Sequence, residues 1–207
     1  MNYDKEMLKI ISELDYKPKL LLHSCCGPCS TSVIEKLKDN FDVTVIYYNP
    51  NIEPEIEYVK RKLEQLKVLE RLNIKYVDCD YENEEFKKIA IGLENDIEGG
   101  KRCHKCYLLR LGRVAKKASE LGFDMFTTTL TVSPYKNAKV LNKIGLNLEK
   151  IYNVKYLVSD FKKRDGYKRS IELSREYNLY RQDYCGCLYS LEYIKKEREL
   201  WNVMDLL

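Results

Sequence analysis

The sequence has no apolar run long enough to cross a bilayer. Stretches such as Leu20–Leu22 and Val43–Tyr48 fall far short of the roughly 20 residues that a membrane helix needs. No membrane partner is expected. Acidic residues interrupt the only apolar stretch of the opening MNYDKEMLKIISELD, so the expectation is a cytoplasmic protein without a secretory signal. There is no internal repeat, no low-complexity tract and no Pro/Gly/Ser linker between domains. Residues 1–207 therefore read as one α/β domain, with an N-terminal helix and a C-terminal helical segment. Neither GxxxxGK(S/T) nor GxGxxG occurs, which disfavours use of ATP. Hydrophobic residues make up 44% and charged residues 33%, so a packed core is within reach and a disordered chain is excluded.

The sequence does have cysteine, eight of them, and in a reducing compartment a disulfide framework is not the expected use. Seven fall in three tight groups: Cys25, Cys26 and Cys29; Cys103 and Cys106; Cys185 and Cys187. Core cysteines would scatter, so the grouping points to metal, redox chemistry or both. HSCCGPCS lies at a strand-to-helix turn, where backbone N–H groups and a helix start favour thiolate. CHKC lies at another helix start among Lys101, Arg102 and Lys105, and the same bias is expected. It would bind a metal centre from one side; Cys25 or Cys26, with or without Cys29, would complete it from the other.

Structural zinc wants four ligands from two knuckles. Adjacent Cys25 and Cys26 are expected to diverge, which an iron–sulfur cluster tolerates better than one small ion does. A spare thiol could hold an additional iron or an exchangeable ligand. In Tyr184-Cys185-Gly186-Cys187 two thiols one residue apart would close a small strained ring, the labile kind of disulfide, and Gly186 supplies the backbone freedom. A redox dithiol is favoured there over two further metal ligands. Cys79 ends an apolar strand and reads as packing; His23 reads as a core histidine, and His104 as facing solvent.

Helices are expected over roughly Tyr3–Leu14, from near Pro28, Pro54–Leu72, Asn83–Ile91, Cys103–Leu121, Ala138–Lys150, Tyr167–Tyr177 and Leu188–Trp201. Strands are expected at Lys19–His23, Asp42–Tyr48, Ile74–Cys79 and Phe123–Thr129. In the long helix Ile56, Val59, Leu63, Leu66 and Leu69 form an apolar stripe. Alternating strands and helices imply βαβ units and a parallel sheet, with ligands beyond the carboxyl ends of the strands. That edge would receive both Cys25–Cys26 and the loop Ser133-Pro134-Tyr135-Lys136-Asn137.

Charge is uneven. Gly99 to Arg181 holds 19 basic and 7 acidic residues, interleaved with tyrosines. A basic face with stacking aromatics suits a nucleic acid with unstacked bases, although a solvated Lys-rich face would look the same.

The motifs LLLHSCCGPCS, YYNPNIEP, GGKRCHKC, FTTTLTVSPYKN, SDFKKRDGYKRS and LYRQDYCGC, in this order from Leu20 to Tyr189, closely resemble the QueH family of epoxyqueuosine reductases, with no departure from the pattern. The resemblance implies a three-layer core similar to the ATP-pyrophosphatase (HUP-like) group, with additional helices. It implies a [4Fe–4S] enzyme that reduces epoxyqueuosine to queuosine at the wobble position of a tRNA anticodon, fed by an electron donor that the sequence does not identify. Carried over by motif, the cluster ligands are Cys25, Cys26, Cys103 and Cys106, with the part of Cys29 open, and Cys185 and Cys187 are the redox pair.

Epoxide to alkene takes two electrons and two protons and releases water; Asp160, Asp183 and Tyr184 are the candidate proton donors. Lys136, Lys162, Lys163, Arg164 and Arg181 are candidate phosphate contacts, Tyr135 and Tyr180 candidate base-stacking residues, and Asn137 and Gln182 belong to the same motifs. Two rival readings remain: an iron–sulfur tRNA thiolase, which would need ATP, and a zinc-stabilised RNA-binding module, which would hold no sulfide.

Overall fold

The computed structural model describes residues 2–204, and in the last helix it leaves out the side chains at 197 and 199–204. Residues 1 and 205–207 of the expected domain, and the side chain of Trp201, lie outside the described residues. The elements run α1 (Tyr3–Ser12), β1 (Lys19–His23), α2 (Gly27–Leu37), β2 (Asp42–Ile46), α3 (Glu55–Leu72), β3 (Lys75–Val77) and α4 (Asn83–Ala90). They continue with α5 (Lys101–Glu120), β4 (Met125–Thr128), a 3-10 turn (Thr129–Val132), α6 (Ala138–Tyr152), β5 (Lys155–Tyr156), α7 (Gly166–Glu176) and α8 (Leu188–Met204). Among the described residues no helix is long and apolar enough to cross a membrane.

Five strands form one parallel sheet in the order β3-β2-β1-β4-β5. The central strand reads Lys-Leu-Leu-Leu-His because it is covered on both faces, as parallel strands are. Leu20 and Leu22 point into one core with Val43, Val45, Val33, Ile34 and Val68, under α2 and α3. Leu21 points into the other with Phe126, Leu111, Val114 and Leu141, under α5 and α6. The result is three layers, helices on sheet on helices, with α7 packed on α2. The strand order reverses between β1 and β4, and such a switch point is where open α/β sheets bind ligands.

Several expected elements are corrected. The strand from Asp42 stops at Ile46, not Tyr48, because Tyr47 and Tyr48 turn out of the sheet and the Tyr48 carbonyl faces the His23 ring instead. The strand from Phe123 is only Met125–Thr128; Thr129 already begins the 3-10 turn, whose entry the Thr128 hydroxyl caps. The two-residue β5 carried too little pattern to be expected.

The largest correction concerns α3. Its apolar stripe does not face the core along its whole length: Ile56 is 77% exposed, Val59 45% and Leu63 54%. The buried face instead carries Tyr58, Arg61, Glu64, Gln65 and Val68. The reason is what that face meets. Gln65 bonds Ser24 and Ser30 at the cysteine turn, Arg61 bonds the Cys185 carbonyl, and Glu64 accepts from the Tyr180 N–H.

Candidate metal and redox site

Beyond the end of β1 the chain turns through Ser24, Cys25 and Cys26 and enters α2 at Gly27-Pro28. Proline costs nothing at this helix start, because the first N–H groups have no intrahelical acceptor. Glycine is required there by a close approach: a Cβ on Gly27 would sit 2.8 Å from the Glu64 carbonyl oxygen of α3. The turn is held on the other side by Thr129, at the end of β4. Its hydroxyl oxygen accepts from the Cys25 N–H at 3.1 Å and lies 3.4 Å from the Cys25 sulfur. The switch point of the sheet is thus filled by thiols.

The sulfurs of Cys25, Cys26 and Cys29 all lie within 4.8 Å of one another, with Cys25 and Cys26 3.9 Å apart. The expected divergence of the adjacent pair is therefore not found. Cys26 takes an extended backbone at the helix cap, which turns both side chains toward Cys29. The expected bias to thiolate holds only for Cys25, whose pKa lies well below the usual thiol range. The Cys26 and Cys29 thiols bond to it, and Arg110 and Thr129 add to the effect against burial. Cys26 is pushed up to about 12, first by its bond with Cys25, and Cys29 is also raised.

Cys103 and Cys106 sit one turn apart at the start of α5. Cys103 accepts from the Gly99 N–H at 3.2 Å, and Cys106 is buried. Burial raises both, Cys106 to about 11, so the thiolate bias expected from neighbouring cations is corrected here too. The reason is where the cations point. Lys101 and Lys105 are exposed, and Arg102 turns to the Leu93 and Glu94 carbonyls and stacks on Tyr189.

Arg110, one turn beyond Cys106, is the residue on which the groups converge. It is 2% exposed and makes no ion pair with a carboxylate among the described residues. It bonds the Asn49 side chain, and its Nε has no partner. Burial opposes its charge, but the Cys106, Cys25 and Cys185 sulfurs outweigh that and raise its pKa. A buried guanidinium without a carboxylate partner needs another source of negative charge, and the Cys106, Cys25 and Cys185 sulfurs act on it here. An all-sulfur donor set around a buried cation fits a thiolate-held metal group.

The third cysteine group closes the site. Gly186 has φ +130°, the left-handed region that favours glycine, and a Cβ there would meet Ile52 Cγ1 at 2.9 Å. The Gly186 carbonyl accepts from the Glu53 N–H at 2.8 Å, the Cys185 carbonyl from Arg61, and the Cys185 N–H donates to Ser190 Oγ at 3.1 Å. Both thiols are free. Lys136 Nζ lies 3.3 Å from Cys185 Sγ. A cavity of about 490 Å³ opens here, lined by Cys25, Cys29, Arg110, Tyr135, Lys136, Tyr167, Arg181, Gln182, Asp183, Tyr184 and Cys185, among others.

The remaining expected residues divide. Lys136 points inward, toward sulfur, and burial against its charge is outweighed by Cys185 and Tyr107, which raise its pKa. Asn137 caps α6 through the Lys139 and Val140 N–H groups. Tyr135 is 80% exposed at the cavity rim. Tyr180 donates to Glu57 and lies under Lys60, and Arg181 stacks over Tyr167. Lys162 pairs with Asp160, Arg164 with Asp4, and Asp183 with Arg198; Lys163 is exposed.

The Tyr184 hydroxyl donates to the Glu53 carbonyl. Cys79 lies apart, packed against the second core, as expected of it. His23 is fully buried between Thr128 Oγ1 at 2.8 Å and the Tyr48 carbonyl at 3.1 Å, a satisfied core histidine. The sequence reading missed Arg110, Arg61, Gln65, Thr129 and Ser190. Only Arg110 carried a signal, its i+4 spacing from Cys106.

Comparison with known proteins gives the family and the fold. The family described as "Epoxyqueuosine reductase QueH" matches residues 20–193. The curated epoxyqueuosine reductase QueH of Staphylococcus epidermidis is 46% identical over 201 residues, covering 92% of this chain and 84% of the relative. That of Thermotoga maritima is 38% identical, covering 83% of this chain and 90% of the relative. Among solved structures, the U34-tRNA thiolase NcsA from Methanococcus maripaludis with its [4Fe–4S] cluster superposes with a TM-score of 0.54. It is 14% identical, covering 90% of this chain and 67% of that one. A predicted subunit of tRNA methyltransferase from Methanocaldococcus jannaschii gives a TM-score of 0.51 at 15% identity, covering 76% of this chain and 75% of that one. These likenesses bear on fold alone: a five-stranded parallel sheet between helices. In sequence, the chain belongs to the QueH family of epoxyqueuosine reductases.

Proposed function

We propose that this protein reduces epoxyqueuosine to queuosine in tRNA, with a [4Fe–4S] cluster held by Cys25, Cys26, Cys103 and Cys106. The redox pair is Cys185 and Cys187, and Cys29 is the spare sulfur for an additional iron. One observation carries the reading beyond family membership. Three cysteine groups far apart in sequence come together around Arg110, a buried cation with no carboxylate partner among the described residues. When bound, the cluster supplies electrons. The residues of the chain do the rest. The thiols of Cys185 and Cys187 hold an electron pair and two protons, which is the balance needed to turn an epoxide into an alkene and water. Tyr135, Tyr167 and Arg181 at the cavity rim offer two rings and a guanidinium to an extruded anticodon base. Of the candidate proton donors, Asp183 and Tyr184 line the same cavity, whereas Asp160 is paired to Lys162 and is not part of that lining.

Metal analysis of protein purified without oxygen tests this. The expected result is iron with matching acid-labile sulfide. Stoichiometric zinc without sulfide would leave the cysteines as scaffolding and remove the electron source. The thiolase rival requires ATP hydrolysis stimulated by tRNA; none is expected, because thiols occupy the turn after β1.

A further inference from the structure

The two thiols of the CGC turn face different surroundings. Cys185 lines the open cavity, half-buried, with Lys136 Nζ 3.3 Å from its sulfur. Cys187 is 8% exposed and sits in an apolar cluster with Phe86 and Cys106. The cavity is lined by Cys185 and not by Cys187. The backbone of the turn is fixed from three sides, by Arg61, Ser190 and the Glu53 N–H, so the two roles do not interchange by a simple flip.

Thiol–disulfide exchange requires the incoming sulfur to approach in line with the bond it breaks, so access decides which sulfur is attacked. We propose that Cys185 is the exchange sulfur of the pair, entered from the cavity by a dithiol reductant, and that Lys136 is the positioning residue that holds it there. The inference rests on the reading of Cys185 and Cys187 as a redox pair. A reductant thiol attacks Cys185 Sγ, the Cys185–Cys187 bond breaks, and Cys187 leaves and takes a proton. The second reductant thiol then attacks its own sulfur in the mixed disulfide and frees Cys185. In sum, one dithiol becomes a disulfide, and two electrons and two protons pass to the pair.

The test uses full-length, metal-loaded protein without oxygen. First, the wild type is oxidised with an oxidised dithiol and its disulfides are mapped by mass spectrometry. Absence of a Cys185–Cys187 bond would sink the redox-pair reading itself. Second, the Cys187→Ser and Cys185→Ser proteins are mixed with an aromatic disulfide, and released thiolate is followed after subtracting the double variant. Cys185 should react about tenfold or more faster than Cys187, the selectivity expected of an accessible thiol beside a cation. Equal rates, or a faster Cys187, would overturn the assignment while leaving the redox pair standing. Third, Lys136→Met in the Cys187→Ser protein should slow Cys185 by about tenfold with iron content unchanged, and Lys136→Arg should recover most of the rate. An unchanged rate in Lys136→Met, or no recovery in Lys136→Arg, would remove Lys136 from this role.

Discussion

His23 and Arg110 show how single residues are held at this site. The His23 ring accepts at Nδ1 from the Thr128 hydroxyl and donates from Nε2 to the Tyr48 carbonyl, so both nitrogens are satisfied in the neutral form. Burial, and after it the charge of Arg110, lowers its pKa to about 3. Nitrogen NMR shifts of this ring should therefore stay constant from pH 7 to pH 5; a midpoint near the ordinary histidine value would contradict the assignment. The linkage has one sign. Below the ordinary value the unfolded chain takes up a proton that the folded chain refuses, so His23 removes stability as pH falls toward about 3.

Arg110 is the opposite case, a charge kept in the interior by sulfur. Arg110→Leu should lower the iron retained on purification, because it leaves the thiolates without a counter-charge, a change of roughly 3–5 kcal/mol when a buried pair is broken. Arg110→Lys should retain more iron than Arg110→Leu. Equal iron in all three proteins would show that Arg110 does not balance the site. Cysteine clustering made the ligand groups legible in the sequence. Arg110 carried only its spacing from Cys106, and nothing in that spacing distinguishes a solvated charge from one turned inward.

At the scale of elements, α3 carries the main lesson. Its apolar residues do lie at helical spacing, and the helix forms over nearly the expected residues. Periodicity marks one face without saying what that face meets. In α3 the buried face is mixed: Val68 and Leu69 enter the core, while Gln65, Glu64 and Arg61 serve the two cysteine turns. Gln65→Ala should destabilise the fold by about 1–3 kcal/mol for the two hydrogen bonds lost together, since Ser24 and Ser30 each lose one of two buried partners. Gly27→Ala should cost about 1–3 kcal/mol by forcing α2 and α3 apart. Urea midpoints measure both, and unchanged midpoints would contradict the packing described. Helices and the central strands were legible from pattern and turn residues. The ends of β2 and β4 were not, because there the backbone leaves the sheet to serve Tyr48 and Thr129.

For the molecule as a whole, the sheet order places the end of β1 beside the end of β4, and the sequence pattern did point to that meeting of Cys25 with the loop after Thr129. What the pattern did not show is that the basic segment is partly self-paired, with Lys162 on Asp160 and Arg164 on Asp4. Replacing Lys162, Lys163 and Arg164 by Ala should weaken tRNA binding. It should also reduce the salt dependence by about one unit of log–log slope for each phosphate that is no longer neutralised. Unchanged binding would place the tRNA on another face. A thermal melt of the same variant separates this from loss of the Arg164–Asp4 tie to α1.

The most direct test of the account is to incubate metal-loaded protein and a low-potential reductant, without ATP, with tRNA carrying epoxyqueuosine, and to analyse the digested nucleosides by mass spectrometry. Conversion to queuosine, abolished when Cys185 and Cys187 are both replaced by Ser while iron content holds, is the predicted result. Epoxyqueuosine left intact by the fully loaded wild-type protein, or full conversion by the double variant, would contradict it.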